Sequence, residues 1–281
     1  APIRRAAALS GDATLAHDAR GAPYFGRAVV FVSYYWKAPL SDLLAALDDG
    51  GGASTGGVTS WWSCFGSTRG HFFWVDIFAV GQCKHTREAA AYNKADVNAF
   101  ETVLAAVGAT WLWCKPWHAP ATFGRVWCLF EALKTVDLGK ELVLVMAADE
   151  QAALRATLLE RFDDIMRILS SIDVATADAT NPDDKEFIFG LIGARVGGFA
   201  QFNADLTAAL RRWLLGAARG ELVAMTRERG DDDLWANLLR NNVARLLDDL
   251  GHYDEAEVMY RRALAIEENA LGEDDLAVAT S

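Results

Sequence analysis

One glutamate interrupts an apolar stretch near the middle of the sequence. From Val126 to Leu133, every residue except Glu131 is apolar or small. A helix that is apolar all round is expected to be buried, and burying a carboxylate is unfavourable unless another group pairs with it. In such surroundings a carboxylate can stabilise positive charge that develops in a transition state. The alternative is a surface pair of Glu131 with Lys134, worth roughly a few tenths of a kcal/mol.

Two neighbours of Glu131 are further candidates. Trp127 lies four residues before Glu131, a spacing that places both side chains on one face of a helix. Its indole could stack on a ligand or fill the core. Arg125 falls in the first turn of the predicted helix, where its guanidinium could bind a phosphate through two hydrogen bonds or remain exposed.

The elements around this helix predict an α/β domain. Four strands are expected in the apolar runs "RAVVFVSYYW", "HFFWVDIFAV", "ATWLWCKPW" and "KELVLVMA". Helices are expected at about 89–107, 123–136 and 150–162, and "RILSSIDVA" could contain a fifth strand. Alternation of nearly continuous apolar strands with helices predicts a flavodoxin-like parallel sheet with helices on both faces.

Polar side chains follow the first two predicted strands. Ser33, Tyr34 and Tyr35 end the first strand, and Asp76 lies near the end of the second. In parallel sheets, ligands bind at the carboxyl ends of the strands, so these residues are candidate ligand contacts. Asp76 could instead anchor the loop that follows it.

Beyond about residue 180 the pattern is only helical. "GDDDL" at 230–234 recurs as "GEDDL" at 272–276, a period of 42 residues, and two amphipathic helices turn at Gly251 between these motifs. The region resembles a tetratricopeptide repeat of the longer, kinesin-light-chain-like kind. The residues that carry this resemblance are Leu238, Gly251, Tyr253, Ala256, Tyr260, Ala263 and Leu264.

The predicted organisation has four parts. These are a poorly ordered leader (1–24), an α/β domain (25–178), a helical connector (179–229), and a repeat with the start of a second, truncated one (230–281). Because repeat arrays need about three units to be stable, we expect the natural protein to continue beyond this sequence.

The first half, about residues 25 to 175, resembles a TIR domain. The resemblance rests on "VVFVSYYW", on "FFWVDI" and above all on "RVWCLFEAL", in which Trp127 precedes Glu131 by four residues, as in TIR domains with enzymatic activity. "WVDIFAVGQ" is also similar to the signature of the fungal heterokaryon-incompatibility domain, a relative of the TIR fold.

The resemblance implies cleavage of the bond between nicotinamide and ribose in NAD. Glu131 would be the catalytic residue, and NAD would be the substrate, with no separate cofactor. Ser33, Tyr34 and Tyr35 would line the nucleotide site, although Tyr35 and Trp36 replace a charged residue common there.

Other residues are candidate contacts for such a substrate, and each keeps its alternative. Trp127 could stack on nicotinamide or fill the core, and Arg125 could contact a phosphate or remain exposed. Asp76 could orient ribose hydroxyls or anchor the loop after it, while Gln82 and His85 on that loop are weaker candidates.

Composition narrows the function classes. The net charge of −11 disfavours nucleic acid as a partner, since phosphate binding relies on clustered Lys and Arg. No apolar run approaches the roughly 18 residues of a membrane span, so no membrane partner is expected. The four cysteines include no CxxC pair, which favours a reducing, cytoplasmic location. Cys83 with His85 and Cys114 with His118 are isolated pairs, so no metal site is predicted.

Three functions remain open. The first is a TIR-type NAD hydrolase regulated by its repeats, as in innate immune signalling by analogy alone. The second is a non-catalytic adaptor that self-associates through the TIR-like domain and binds a protein or peptide through the repeats. The third is a domain that binds NAD or its products without turnover.

Overall fold

The structure is a computed structural model that describes residues 28–35, 37–49, 73–75, 100–180 and 182–271. Asp76, Gln82, His85, Cys83 and the leader lie outside these residues. The α/β part contains, in chain order, β1 (Val30–Ser33), α1 (Leu40–Asp49), β2 (Phe73–Val75), α2 (Phe100–Ala106), β3 (Ala109–Trp113), a 3₁₀ turn (Ala121–Gly124), α3 (Val126–Asp137), β4 (Glu141–Val145), α4 (Ala148–Glu160), α5 (Phe162–Ser170) and a second 3₁₀ turn (Val174–Thr176).

The four strands form one parallel sheet in the order β2-β1-β3-β4. Val32 pairs with Val75 on one side and with Trp111 on the other, so β1 is a central strand. The first crossover places β2 on one side of β1, and the next returns to place β3 on the other. This reversal is the topological switch point of flavodoxin-like sheets, where ligands bind at the carboxyl ends of the strands. The predicted fold class is confirmed.

Side chains alternate between the two faces of the sheet, and each face is covered by a helix. Val32 and Trp111 belong to a buried cluster that also contains Leu43 of α1. Phe31 belongs to the larger cluster on the other face, together with Leu129 of α3. Both faces of the sheet are therefore shielded from solvent, which explains why the strand sequences are continuously apolar rather than alternating.

The prediction of a fifth strand in residues 167–175 is wrong. The segment begins inside α5, which ends at Ser170 and whose buried residues Phe162, Ile165 and Leu169 have the spacing of a helix face. A 3₁₀ turn follows, and Asp173 caps it by accepting a hydrogen bond from the Ala175 amide. Helical periodicity that begins upstream of Arg167 outweighs the short β-branched run at its end.

The rest of the described chain is helical, as the sequence predicts. It consists of α6 (Pro182–Gly193), α7 (Gly198–Arg229), α8 (Leu234–Asp249) and α9 (Tyr253–Leu271). Gly251, with φ 79°, ends the turn between α8 and α9, and the His252 amide donates to the Leu247 carbonyl at 2.8 Å. This left-handed position explains the glycine in the repeat.

The helical part shares its core with the α/β part. A single buried cluster extends from Phe31 in the sheet through Leu210 in α7 to Ala256 in α9. Polar contacts cross the same boundary, and the Asn242 amide of α8 donates to the Leu158 carbonyl of α4 at 2.8 Å. Across the described ranges, no helix has the length and apolar composition needed to cross a membrane.

Candidate functional site

The site centres on a buried contact between β1 and α3. Ser33 is the last residue of β1 and is 2% exposed, and Glu131 in the middle of α3 is 7% exposed. The Ser33 hydroxyl donates a hydrogen bond to Glu131 Oε2 at 2.5 Å. Two residues separated by 98 positions in the sequence are thereby joined at the carboxyl edge of the sheet. The structure brings these two predicted site residues together.

A second polar contact fixes the rotation of α3. Thr135, one turn after Glu131, donates its hydroxyl to the Glu131 carbonyl at 2.7 Å. Thr110 of β3 lies 2.7 Å from the same hydroxyl oxygen, and because the Thr135 proton is already used, Thr110 is the donor. Glu131 and Thr135 therefore both face the sheet.

The start of α3 is also held in place. The Val126 amide donates to the Asp178 carbonyl at 3.1 Å, and the Asp178 amide donates to the Gly124 carbonyl at 2.9 Å. The first bond satisfies the Val126 amide, a donor in the first turn that has no partner within the helix. Together, the two bonds tie the helix that contains Glu131 to the segment leading into the connector.

The alternative in which Glu131 lies at the exposed edge of its helix and pairs with Lys134 is not what the structure shows. Glu131 is buried, and the Lys134 ammonium pairs instead with Glu101 of α2 at 2.7 Å. An exposed surface glutamate is therefore excluded as the explanation of this residue.

Trp127 contacts the connector. Its indole N–H donates to Asp184 Oδ2 of α6 at 3.2 Å, and its ring meets Phe130 edge to face at 6.3 Å between centroids. The ring is half-buried. Of the two roles left open by the sequence, packing is the one this geometry displays, and stacking on a ligand stays a prediction.

Tyr34 lies in the core. It is 4% exposed and belongs to the cluster with Leu43, on the face opposite Phe31 and α3. Alternation along β1 explains the difference, since Ser33 and Tyr34 must point to opposite faces. A direct ligand contact by Tyr34 stays a prediction, as does the contact by Asp76, which lies outside the described residues.

Tyr35 and Arg125 lie near a cavity at the switch point. The cavity has a volume of about 290 Å³ and is lined by Tyr35, Asp42, Trp113, Lys115 and Thr122, among others. Glu131 is not among its lining residues.

Charged groups surround this cavity. The Arg125 guanidinium lies 5.7 Å from the centroid of the Tyr35 ring and donates to Thr180 Oγ1 at 2.6 Å. The Lys115 ammonium is 2.8 Å from Asp42 Oδ2, and this hydrogen bond raises the pKa of Lys115. Lys115 is therefore a permanent cation at neutral pH.

Sequence reasoning did not single out Lys115, Asp42 or Thr122. The positions of two of them could have indicated a site. Lys115 follows β3 almost directly and Thr122 lies in the segment before α3, so both are at the edge of the sheet where a ligand is predicted to bind. The partnership of Lys115 with Asp42 spans 73 residues and has no local signature.

Cys114, just after β3, is a buried thiol. Cys114 is 1% exposed, and burial raises the pKa of its thiol to about 12. It is therefore neither a thiolate nucleophile nor a thiolate ligand at neutral pH. Within the described ranges, no group of three or more His, Cys, Asp or Glu side chains is arranged to hold a metal ion.

Comparison with known proteins identifies the C-terminal region. A family model described as a tetratricopeptide repeat matches residues 239–277, which include most of α8 and all of α9. No family model of a TIR domain matches the chain. No curated protein and no solved structure matches it either. The repeat predicted from the 42-residue period is thus confirmed, and the TIR resemblance stays a prediction.

Proposed function

We propose that the α/β domain is a TIR-type NAD glycohydrolase in which Glu131 is the catalytic residue. The observation that carries the proposal is the burial of the Glu131 carboxylate at the switch point of a flavodoxin-like sheet, bonded to Ser33. Burying a carboxylate is unfavourable, so retaining one at the ligand-binding edge of the fold supports a functional role.

One carboxylate is sufficient for this chemistry. Most glycosidases need a second carboxyl group as an acid that protonates the leaving oxygen. Nicotinamide in NAD already carries a positive charge and leaves as a neutral molecule, so it needs no acid. As the bond breaks, positive charge moves to the ribose, where Glu131 can stabilise it.

The expected attraction between Glu131 and the charged ribose is large enough to change the reaction rate. Opposite charges about 4 Å apart attract by roughly 4 kcal/mol at an effective dielectric constant near 20. An interaction of that size, made only in the transition state, accelerates a reaction by about a thousandfold.

The cavity supports a nucleotide as substrate. Its volume of about 290 Å³ is near the lower limit for small-molecule sites and suits one part of a dinucleotide. The Lys115 cation lines it and can bind a phosphate, while the Tyr35 ring offers a surface for stacking. The cavity adjoins the end of β1, the strand that presents Ser33 to Glu131.

The direct test compares Glu131→Gln with a matched control, Glu101→Gln. Purified proteins are incubated with NAD, and released nicotinamide is measured at several protein concentrations, because TIR catalysis commonly requires assembly. We expect Glu131→Gln to lower the rate by about a thousandfold. Glu101 is exposed and pairs with Lys134, so its replacement should leave the rate unchanged. Wild-type activity in Glu131→Gln would refute the proposal.

A second candidate, a protein-interaction scaffold, is favoured by two observations. The tetratricopeptide repeat indicates a protein partner. In addition, the Trp127 indole is hydrogen-bonded to Asp184 of α6 and packs edge to face on Phe130. The scaffold reading predicts no nicotinamide release at any protein concentration, and it predicts self-association that Glu131→Gln does not change.

A further inference from the structure

A second cleft lies far along the chain from the Ser33–Glu131 contact. Its volume is about 450 Å³, and its walls come from three regions. Ser170 and Asp173 lie at the end of the α/β part, Arg211 lies on α7, and Asp249 lies at the end of the first repeat helix. Any ligand held here would contact the α/β part, the connector and the repeat simultaneously.

Arg211 has unused hydrogen-bonding capacity in this cleft. Its Nε is buried and, among the described residues, has no hydrogen-bond partner. Its Nη2 donates to Ser170 Oγ over a long 3.3 Å, and its Nη1 is 4.0 Å from Asp249 Oδ2, too far for a hydrogen bond. A guanidinium with free donors in a fixed fork matches the geometry of a carboxylate or another oxyanion.

The part of the cleft next to Arg211 attracts positive charge. The Asp249 carboxylate is 43% exposed, and α5 and α8 both end here. Helix C-termini carry partial negative charge. An ammonium group is therefore favoured near Asp249, a short distance from the anion-binding face of Arg211.

Part of the lining is apolar. Ile172 and Leu250 line the cleft together with Ala204 and Ala208. Asp173 is held by the Asn203 amide at 2.8 Å and by the Ala175 amide at 3.0 Å, so this wall has a fixed geometry. The site thus combines the Arg211 guanidinium, the Asp249 carboxylate, the Asp173 carboxylate that is already hydrogen-bonded to the protein, and an apolar surface.

We propose that this cleft binds a free α-amino acid, with the ligand carboxylate on Arg211, its ammonium on Asp249 and its side chain against Ile172 and Leu250. A cleft of about 450 Å³ falls within the usual range for small-molecule sites and holds such a ligand. This inference does not depend on the activity proposed for Glu131.

The test screens the common L-amino acids by thermal shift and by isothermal titration calorimetry. We expect at least one to bind with a stoichiometry of one per chain and to raise the melting temperature. Its N-acetyl derivative, which lacks the ammonium, and its decarboxylated amine, which lacks the carboxylate, should each bind at least about tenfold more weakly. These analogue measurements need no variant protein.

Two pairs of variants locate the site. Arg211→Gln should abolish binding, whereas Arg212→Gln, which changes the neighbouring exposed arginine, should not. Asp249→Asn should weaken binding at least about tenfold, whereas Asp248→Asn should not. Absence of binding by every amino acid, binding that survives Arg211→Gln, or binding of inorganic phosphate in place of amino acids would each overturn the proposal.

Discussion

The α/β domain and the repeat each bury polar side chains, but the partners of those side chains differ. In the repeat, Arg240 is 3% exposed and donates to Asn237 three residues away and to Asp231 nine residues away. In the α/β domain, Glu131 accepts a hydrogen bond from Ser33, 98 residues away in the sequence.

The buried polar cluster of the repeat therefore forms within one local unit, whereas the Ser33–Glu131 contact joins distant parts of the chain. The Asn237 amide also donates to the Ala263 carbonyl at 3.1 Å and to Glu267 at 3.0 Å, so the polar cluster of the repeat joins α8 directly to α9. It can form once two adjacent helices meet. The Ser33–Glu131 contact forms only after β1 and α3 have both packed on the sheet, so it depends on the whole α/β domain.

The largest stability effect is expected from Arg240. Arg240→Gln leaves the Asn237 side-chain oxygen Oδ1 and the Asp231 carboxylate without their buried cation. We expect the free energy of unfolding to fall by about 3 kcal/mol, discounted because Asp231 is half exposed. Urea denaturation measures the change. The control is Arg261→Gln, whose exposed pair with Glu257 should contribute at most about 0.5 kcal/mol. Equal effects of the two changes would contradict a special role for the buried cluster.

A smaller effect is expected from Ser33→Ala. It removes the hydroxyl that donates to Glu131, and we expect a loss of about 2 kcal/mol, since hydrogen bonds to charged groups contribute about 1.5–3 kcal/mol. A double-mutant cycle with Glu131→Gln isolates the interaction between the two side chains. Additive losses in urea denaturation would show that the two side chains do not interact.

A hydrogen bond at the boundary between the two regions should contribute less to the free energy of unfolding than the Ser33–Glu131 bond. Asn242→Ala removes the hydrogen bond to the Leu158 carbonyl, and we expect a loss of about 1 kcal/mol. Hydrogen exchange should increase at the end of α4, where Leu158 lies. Asn241→Ala is the control, because Asn241 bonds to Glu267 within the repeat and its loss should leave exchange in α4 unchanged.

The smallest expected effect is a pH dependence of the stability that the Arg245–Asp163 pair contributes at the same boundary. The hydrogen bond from Arg245 lowers the pKa of Asp163 below its ordinary value. A lowered pKa in the folded state stabilises the fold above the unfolded pKa, and this contribution disappears as pH falls through the folded value. The difference in stability between wild type and Arg245→Gln should therefore be constant near neutrality and decrease below about pH 4.

The pH difference should decrease without vanishing. The Arg245 guanidinium also lies 4.8 Å from the centroid of the Phe162 ring, and this contact does not titrate. Thermal denaturation between neutral and acidic pH measures both contributions. Arg227→Gln, a change at an exposed arginine on α7, serves as the control and should give no such pH dependence.

Much of the fold could be predicted from the sequence because its signals are local. Apolar runs identify β1, β3 and β4, and the 42-residue period locates the turn at Gly251. The prediction of a fifth strand was wrong because a short β-branched run carries less information than the helical spacing of Phe162, Ile165 and Leu169 before it.

The candidate site could be predicted only in part, because its geometry depends on distant contacts. The spacing of Trp127 and Glu131 places both on α3, but the sequence does not show that Trp127 reaches Asp184 in the connector. Alternation along β1 predicts that Ser33 and Tyr34 face opposite sides, yet which of them meets α3 is decided by how the helices pack. Lys115 acquires its partner Asp42 across 73 residues in the same way.

The long helix α7 has 32 residues, which corresponds to a length of about 48 Å. Asn203 near its start bonds to the Val174 amide, and Arg219 in its second half pairs with Glu255 of α9. One uninterrupted helix is thus bonded to the α/β part near its start and to the repeat in its second half. If a bound protein tilts the repeat, α7 must either bend or displace the sheet against which it packs. A force applied to the repeat is therefore transmitted to the α/β domain.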